Sequence, residues 1–242
     1  MKLTIVIPTH NEEAVILKPL KRLAASVYTT HEIVVVDDSK DSTPQMVKKY
    51  LKKVPNIRLV TGGKISFGQA LGLGYKSAKG DAFVVVMGDL CDDPKTIDKM
   101  FNKLNSGWDV VCGSRYMKGG KKVGGPKLQG LLSELVCRSL KILTGVPTSD
   151  VSNAFKMYKI KTLKGVRFNK KSGVEASMET LLQVYFKGAA ICEIPTVWLG
   201  RSRGESKFNI FARTPRYSRI YVWALVNAVR KLMHVPSNKF YA

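Results

Sequence analysis

EIVVVDDSKDST, residues 32–43, presses four consecutive β-branched residues, Ile33 to Val36, against two aspartates and a polar turn. An apolar run unbroken by alternating polar residues marks a strand covered on both faces, and such strands belong to parallel sheets. The same pattern recurs in LTIVIP (3–8), IRLVTG (57–62) and AFVVVMGD (82–89). Helical patterns fill the gaps, from about Glu13 to Ser26, Thr43 to Lys53 and Phe67 to Ala78. This alternation predicts an α/β fold, a Rossmann-like, mostly parallel sheet with helices on both faces.

In open sheets of this kind ligands bind beyond the carboxyl ends of the strands. Three strands end in polar clusters, PTHNEE, DDSKDST and GDLCDDP, which are therefore expected to line one crevice. Further along, WDVVCGS (108–114) reads as a strand and RYMKGGKKVGGPK (115–127) as a mobile loop. Helices are expected from about Leu128 to Leu143 and from about Glu175 to Phe186, with a strand at AAICEIP (189–195). The expected organisation is one domain over residues 1–208 and a basic, aromatic, amphipathic helical tail over 209–242.

Of 242 residues, 40 are Lys or Arg and 18 are Asp or Glu, a formal net charge of +22. That balance favours an anionic partner: a phosphate-rich ligand, an anionic membrane face or a nucleic acid. The four cysteines lie far apart with no CxxC pair, which argues against zinc and fits a reduced, cytoplasmic setting. The start, MKLTIVIPTHNEE, is too short in apolar residues for a signal peptide, and no stretch approaches the roughly 20 needed to span a bilayer.

The scarce carboxylates are gathered where a ligand would sit. Asp37 and Asp38 can accept hydrogen bonds from a base or a ribose, although plain turn chemistry explains them equally well in isolation. Pro8 ends the first strand, and Asn11 with Glu12 can cap the next helix or touch a ligand. In GDLCDDP, crowded carboxylates need a counter-cation, which a Mg²⁺ or Mn²⁺ ion shared with a diphosphate would supply. Asp89, with Asp92, is the candidate metal ligand, and Asp93 is assigned to the acidic first turn of the following helix.

IPTHNEE, VVDDSKDST, GDLCDDP, GSRYMKGG and RSRGESKF, taken together and in this order, resemble the family-2 glycosyltransferases of the GT-A fold. The likeness is strongest to the branch of dolichol-phosphate mannose synthases and other polyprenyl-phosphate glycosyltransferases, and it spans residues 3 to about 208. It implies transfer of a hexose from a nucleotide-diphosphate sugar, GDP-mannose or a UDP-sugar, with inversion at the anomeric carbon. The donor pocket then falls on Pro8, Thr9, Asn11, Glu12, Asp37, Asp38, Gly68 and Asp89. The acceptor-phosphate site falls on Arg115 and Ser133, with Arg201 and Lys207, and the catalytic set on Asp89, Arg115, Asp150 and Arg203. Two positions depart from the pattern: Met87 stands where the family's Asp-x-Asp has its first aspartate, and Gln129 where it has a second arginine near the lipid phosphate.

A phosphate monoester acceptor, with a second pKa of about 6, is ionised at neutral pH and needs no base. A saccharide hydroxyl would need one, for which Asp150 ranks ahead of Glu179, read as a helix-surface residue. IYVWALV (220–226), flanked by Arg213, Arg216, Arg219, Arg230 and Lys231, suits a helix lying in an anionic membrane interface, and packing on the chain's own core suits it equally. The resulting expectation is a peripheral enzyme on the cytosolic face of a membrane that glycosylates a polyprenyl (dolichyl) phosphate. A saccharide-acceptor transferase and a basic nucleic-acid-binding protein stand as alternatives. No nucleic-acid module is recognisable, so no nucleic-acid partner is expected.

Overall fold

The structure, a computed structural model, describes residues 1–89, 91–200 and 210–235, the side chains of 210–212 excepted. Its first half follows the strand–helix rhythm: β1 (Leu3–Thr9), α1 (Leu17–Ser26), β2 (His31–Asp37), α2 (Thr43–Leu51), β3 (Ile57–Thr61), α3 (Phe67–Ser77), β4 (Ala82–Val85) and α4 (Thr96–Asn105). The second half adds β5 (Val110–Ser114), β6 (Lys121–Val123), α5 (Lys127–Thr144), β7 (Lys156–Lys159), α6 (Ala176–Phe186), β8 (Ile191–Pro195), β9 (Val197–Leu199) and α7 (Ile210–Leu232).

Seven strands form one sheet in the order β3-β2-β1-β4-β7-β5-β8, and only β7 runs antiparallel to its neighbours. Because every residue of a doubly covered strand faces a helix layer, the Val/Ile runs need no polar positions. Leu3, Ile5, Ile7, Ile33 and Val35 pack under α1, α2 and α4. Val6, Val34, Val36 and Val85 pack under α3, α5, α6 and α7 on the other side. The chain passes from β1 outward to β2 and β3, then returns to place β4 on β1's other flank, so the sheet's topological switch lies between β1 and β4.

Three strands, β6, β7 and β9, were illegible in the sequence. β7, KMYK, has two lysines in four residues, yet Lys156 is fully buried, and its Nζ donates to the carbonyls of Val151 and Asn153. Tying down that turn satisfies an ammonium that would be costly to bury alone. The loop 115–127 was expected to be mobile. Instead β6 pairs in parallel with β9, and Gly200 N–H bonds to Val123 O at 2.7 Å.

α7 packs on the body of the molecule. Ile220, Ala224 and Asn227 are buried, Trp223 meets Phe186 edge-on at 5.5 Å, and the Tyr221 hydroxyl reaches Ser139 on α5 at 2.9 Å. Near its start, Arg213 and Arg216 lie 3.0 and 3.4 Å from the buried carboxylate of Glu175. Glu179, one turn further on α6, is buried, not on the helix surface. Burial raises its pKa to about 7, the Glu175 charge adds to the rise, and the Ser172 hydroxyl bond opposes it. A carboxyl with a raised folded pKa stabilises fully below its unfolded value, here 4.5, and loses that contribution as pH rises through about 7. Glu179→Gln is therefore expected to gain roughly 2–3 kcal/mol on the wild type between pH 5 and pH 8 in guanidinium melts. A pH-independent difference would contradict this.

Candidate functional site

At the carboxyl edge of the sheet, the turns after β1 and β2 interlock. The Thr9 and Ser39 hydroxyls both donate to Asp37 Oδ1, at 2.7 and 2.6 Å, and Ser39 N–H reaches Oδ2 at 3.2 Å. Asp37, 2% exposed, therefore spends its carboxylate on holding the two strand ends together. Asn11 has φ 54°, a left-handed conformation that asparagine tolerates better than most residues. Its N–H donates to Ser39 Oγ at 2.7 Å, and its Oδ1 accepts Lys40 N–H at 2.9 Å. Glu12 N–H donates to Thr43 Oγ1 at 2.9 Å.

Asp38 has different partners. Its Oδ1 lies 2.6 Å from His10 Nδ1, and its Oδ2 accepts Ile65 N–H at 3.3 Å. Around both aspartates opens a hollow of about 590 Å³, lined by His10, Asn11, Asp37, Asp38, Lys40 and Lys64 among others. That volume is within the range of small-ligand pockets, roughly 300–1,000 Å³. His10, Lys40 and Lys64 were not singled out from sequence; each is an isolated charge or ring whose neighbours are set only by the fold.

Asp89 lies beyond β4, on the far side of β1 from this hollow. The two regions meet at Gly88, where an added Cβ would lie 3.6 Å from Thr9 Cγ2, 3.8 Å from Pro8 O and 3.9 Å from Glu12 Cγ. Asp89 Oδ1 accepts Cys91 N–H at 3.2 Å. Asp92 is buried, bridged through its backbone to Trp198, and accepts Asn153 Nδ2 at 3.2 Å. Burial drives its pKa to about 7; the Asn153 bond and the Arg115 charge oppose this, and the charges of Asp89 and Asp150 reinforce it. Asp93 accepts the N–H of Lys95 at 3.2 Å, just before α4.

Two expected site residues are engaged within the chain itself. Gly68 is buried against the 169–172 turn, where a Cβ would meet Asn169 O at 2.5 Å, so its small size serves packing within the chain. Asp150, considered as a base, is fully buried beside Arg115. It accepts Arg115 Nε at 2.7 Å, Nη2 at 2.8 Å and backbone N–H at 3.0 Å, and Asn153 N–H at 3.2 Å. A carboxylate so engaged and sealed from solvent positions a guanidinium; it has no opening to take a proton from an acceptor.

Arg115 extends from the end of β5. Burial alone would lower its pKa, but the Asp150 charge and hydrogen bonds raise it well above the ordinary arginine value. Its Nη2 also donates to Ser152 Oγ at 3.0 Å, and Ser152 lies 3.0 Å from Ser133 Oγ on α5. The two N–H groups of Nη1 have no partner among the described residues. The Tyr116 hydroxyl, next in the chain, is buried with no close hydrogen bond; burial raises its pKa, and the Arg115 charge and the nearby Ser133 hydroxyl oppose the rise. Asn153 joins the two ends of the crevice: its N–H meets Asp150 and its side-chain amide meets Asp92. Arg201, Arg203 and Lys207 lie outside the described residues.

Residues 4–167 match the family described as Glycosyl transferase family 2. The chain is 29% identical over 232 residues to a dolichol-phosphate mannosyltransferase of Pyrococcus furiosus, covering 92% of this chain and 64% of that protein. It is 28% identical over 213 residues to a dolichyl-phosphate hexose transferase of Haloferax volcanii, covering 87% and 88%. Among solved structures, TarS of S. aureus in complex with UDP-GlcNAc superposes with a TM-score of 0.69 at 22% identity, covering 94% of this chain and 67% of that one. At that identity the likeness establishes a shared GT-A-type fold.

Proposed function

The chain belongs to glycosyl transferase family 2, and on that premise we propose that it transfers a hexose from a nucleoside-diphosphate sugar to a polyprenyl phosphate at a membrane surface. The observation that carries this reading is the Asp92–Asn153–Asp150–Arg115 chain of hydrogen bonds. It ties strand-end carboxylates suited to a donor diphosphate to a guanidinium with two N–H groups left for an acceptor phosphate. Relatives named for transfer to dolichyl phosphate support the acceptor class.

In this reading the nucleoside occupies the hollow around Asp38 and His10, and the diphosphate lies over Pro8, Thr9 and Glu12 toward Asp89. Among the described residues no three His, Cys, Asp or Glu side chains could cage a metal ion by themselves. Asp89 with Asp92, whose buried carboxyl also feels the negative charges of Asp89 and Asp150, would nevertheless fit a Mg²⁺ or Mn²⁺ ion that takes its remaining ligands from a diphosphate. Such an ion would neutralise charge on the departing nucleoside diphosphate. Arg115, held by Asp150 and Ser152, orients the acceptor phosphate. An ionised phosphate oxygen then attacks the anomeric carbon from the face opposite the leaving group, forming the new C–O bond as the old one breaks, with inversion. The acceptor is already deprotonated, so the engagement of Asp150 with Arg115 is no obstacle.

Among the described residues, no helix is long and apolar enough to cross a membrane. Leu128, Leu131, Leu135 and Ile142 of α5 are exposed on one stripe, as are Val222, Val226, Val229 and Met233 at the end of the molecule formed by α7. With Lys127, Arg219 and Arg230 nearby, these stripes support peripheral docking on an anionic bilayer, the cytosolic face being the proposed side.

The test presents dolichyl phosphate in anionic vesicles and screens GDP-mannose, UDP-glucose and UDP-N-acetylglucosamine with Mn²⁺. One donor is expected to label the lipid, and the protein to sediment with the vesicles at low salt. Transfer to a free saccharide with none to the lipid would overturn the acceptor assignment.

A further inference from the structure

We propose that Lys122 is the second cation of the acceptor-phosphate site, in the place that Gln129 leaves without charge; this rests on the polyprenyl-phosphate reading above. Lys122 is the middle residue of β6, partly buried between two exposed neighbours, Lys121 and Val123. Its side chain runs under Trp198, with Nζ 5.5 Å from the ring centroid and 3.3 Å from Pro126 O. The amine ends against the first turn of α5, where a Cβ on Gly130 would lie 2.5 Å from Nζ. Gly130 is three residues before Ser133 and thus on the same face of the helix, and Ser133 continues through Ser152 to Arg115.

Charge accounting gives this placement its meaning. Arg115 and Asp150 form a pair with no net charge, and Gln129 adds none. A phosphate monoester brings about −1.5 to −2 at neutral pH, so without a further cation it would be desolvated against a neutral site. Lys122 has no carboxylate partner among the described residues. Burial holds its ammonium below the usual lysine range, and the Arg115 charge pushes the same way. The Arg115 charge thus reaches Lys122, and with Asp150 already committed to Arg115 the remaining positive charge is relieved when an anion enters. The buried Tyr116 hydroxyl, next to Arg115 in the chain and within reach of Ser133, adds a polar group to the same region.

The test measures binding of citronellyl phosphate by calorimetry, and KM for dolichyl phosphate, in wild type, Lys122→Met, Lys122→Arg and Gly130→Ala. Lys122→Met is expected to weaken citronellyl phosphate binding about tenfold and raise KM for the lipid similarly, with nucleotide affinity unchanged. Lys122→Arg should retain most binding. Gly130→Ala displaces the amine while placing a better helix former in α5, so it should lose acceptor affinity without melting earlier. Equal citronellyl phosphate affinity in wild type and Lys122→Met would overturn this inference and leave the acceptor class standing. A wild type that binds no citronellyl phosphate and labels no lipid would overturn both.

Discussion

Asp150→Ala is expected to cost about 3–5 kcal/mol of stability and to abolish sugar transfer. The magnitude follows from burial: Asp150 is fully buried and Arg115 11% exposed at the side chain, so removing the carboxylate strands a guanidinium that water reaches poorly. For a chain of this size such a loss lowers Tm by roughly 6–20 °C. Arg115→Ala strands the opposite charge and should cost a comparable amount. Replacing both residues together by apolar ones of similar volume should cost less than the two single changes summed, since neither charge is then left alone. Asp150→Asn keeps the shape but turns an amide N–H toward guanidinium donors; it should retain more stability than alanine while losing most of the lipid phosphate affinity. Thermal melts of the four variants with citronellyl phosphate titrations decide the matter. An alanine variant that melts with the wild type and still binds the phosphate would show that the pair neither stabilises the fold nor prepares the site.

That pair marks where the sequence stops being readable. The parallel core was legible because Ile33 to Val36 and Val84 to Val86 are apolar without interruption, a pattern with few competing explanations. Their carboxyl ends could be assigned to one crevice because sheet connectivity forces parallel strand ends to the same edge. Which carboxylate serves which purpose was not legible. Asp37 and Asp38 are neighbours in the chain and line one hollow, yet one is locked by Thr9 and Ser39 and the other pairs with His10. Asp150 lies 35 positions from Arg115, and nothing local separates a base from a buried counter-charge; only the burial that tertiary packing creates does so. β7 was hidden for the same reason, since a lysine that finds two backbone carbonyls inside the fold looks like surface in the sequence. Lys122 was one of many lysines until β6 paired with β9 and turned it toward α5.

Asp89→Asn is expected to lower turnover about a thousandfold, about 4 kcal/mol of transition-state stabilisation. Asparagine keeps an oxygen for the Cys91 N–H, so the strand end should hold its shape, and Tm should move little. What it removes is a negative charge where a divalent ion and a diphosphate would meet. Compensation is poor on both sides: a methionine at 87 offers a hard cation no oxygen, and Asp92 is already drawn on by Asn153. Calorimetry separates binding from chemistry. UDP or GDP should bind the wild type more tightly with Mn²⁺ than without it, and the variant equally in both conditions. Met87→Asp, which restores the missing carboxylate, should steepen the wild type's Mn²⁺ dependence. Should Asp89→Asn keep the full Mn²⁺ effect on nucleotide affinity, Asp89 has no part in holding the ion, and the donor's charge must be met by cations alone. The net charge of +22 makes that rival concrete: a crevice edged by Lys40 and Lys64 would then carry the diphosphate, and binding should fall steeply with added salt.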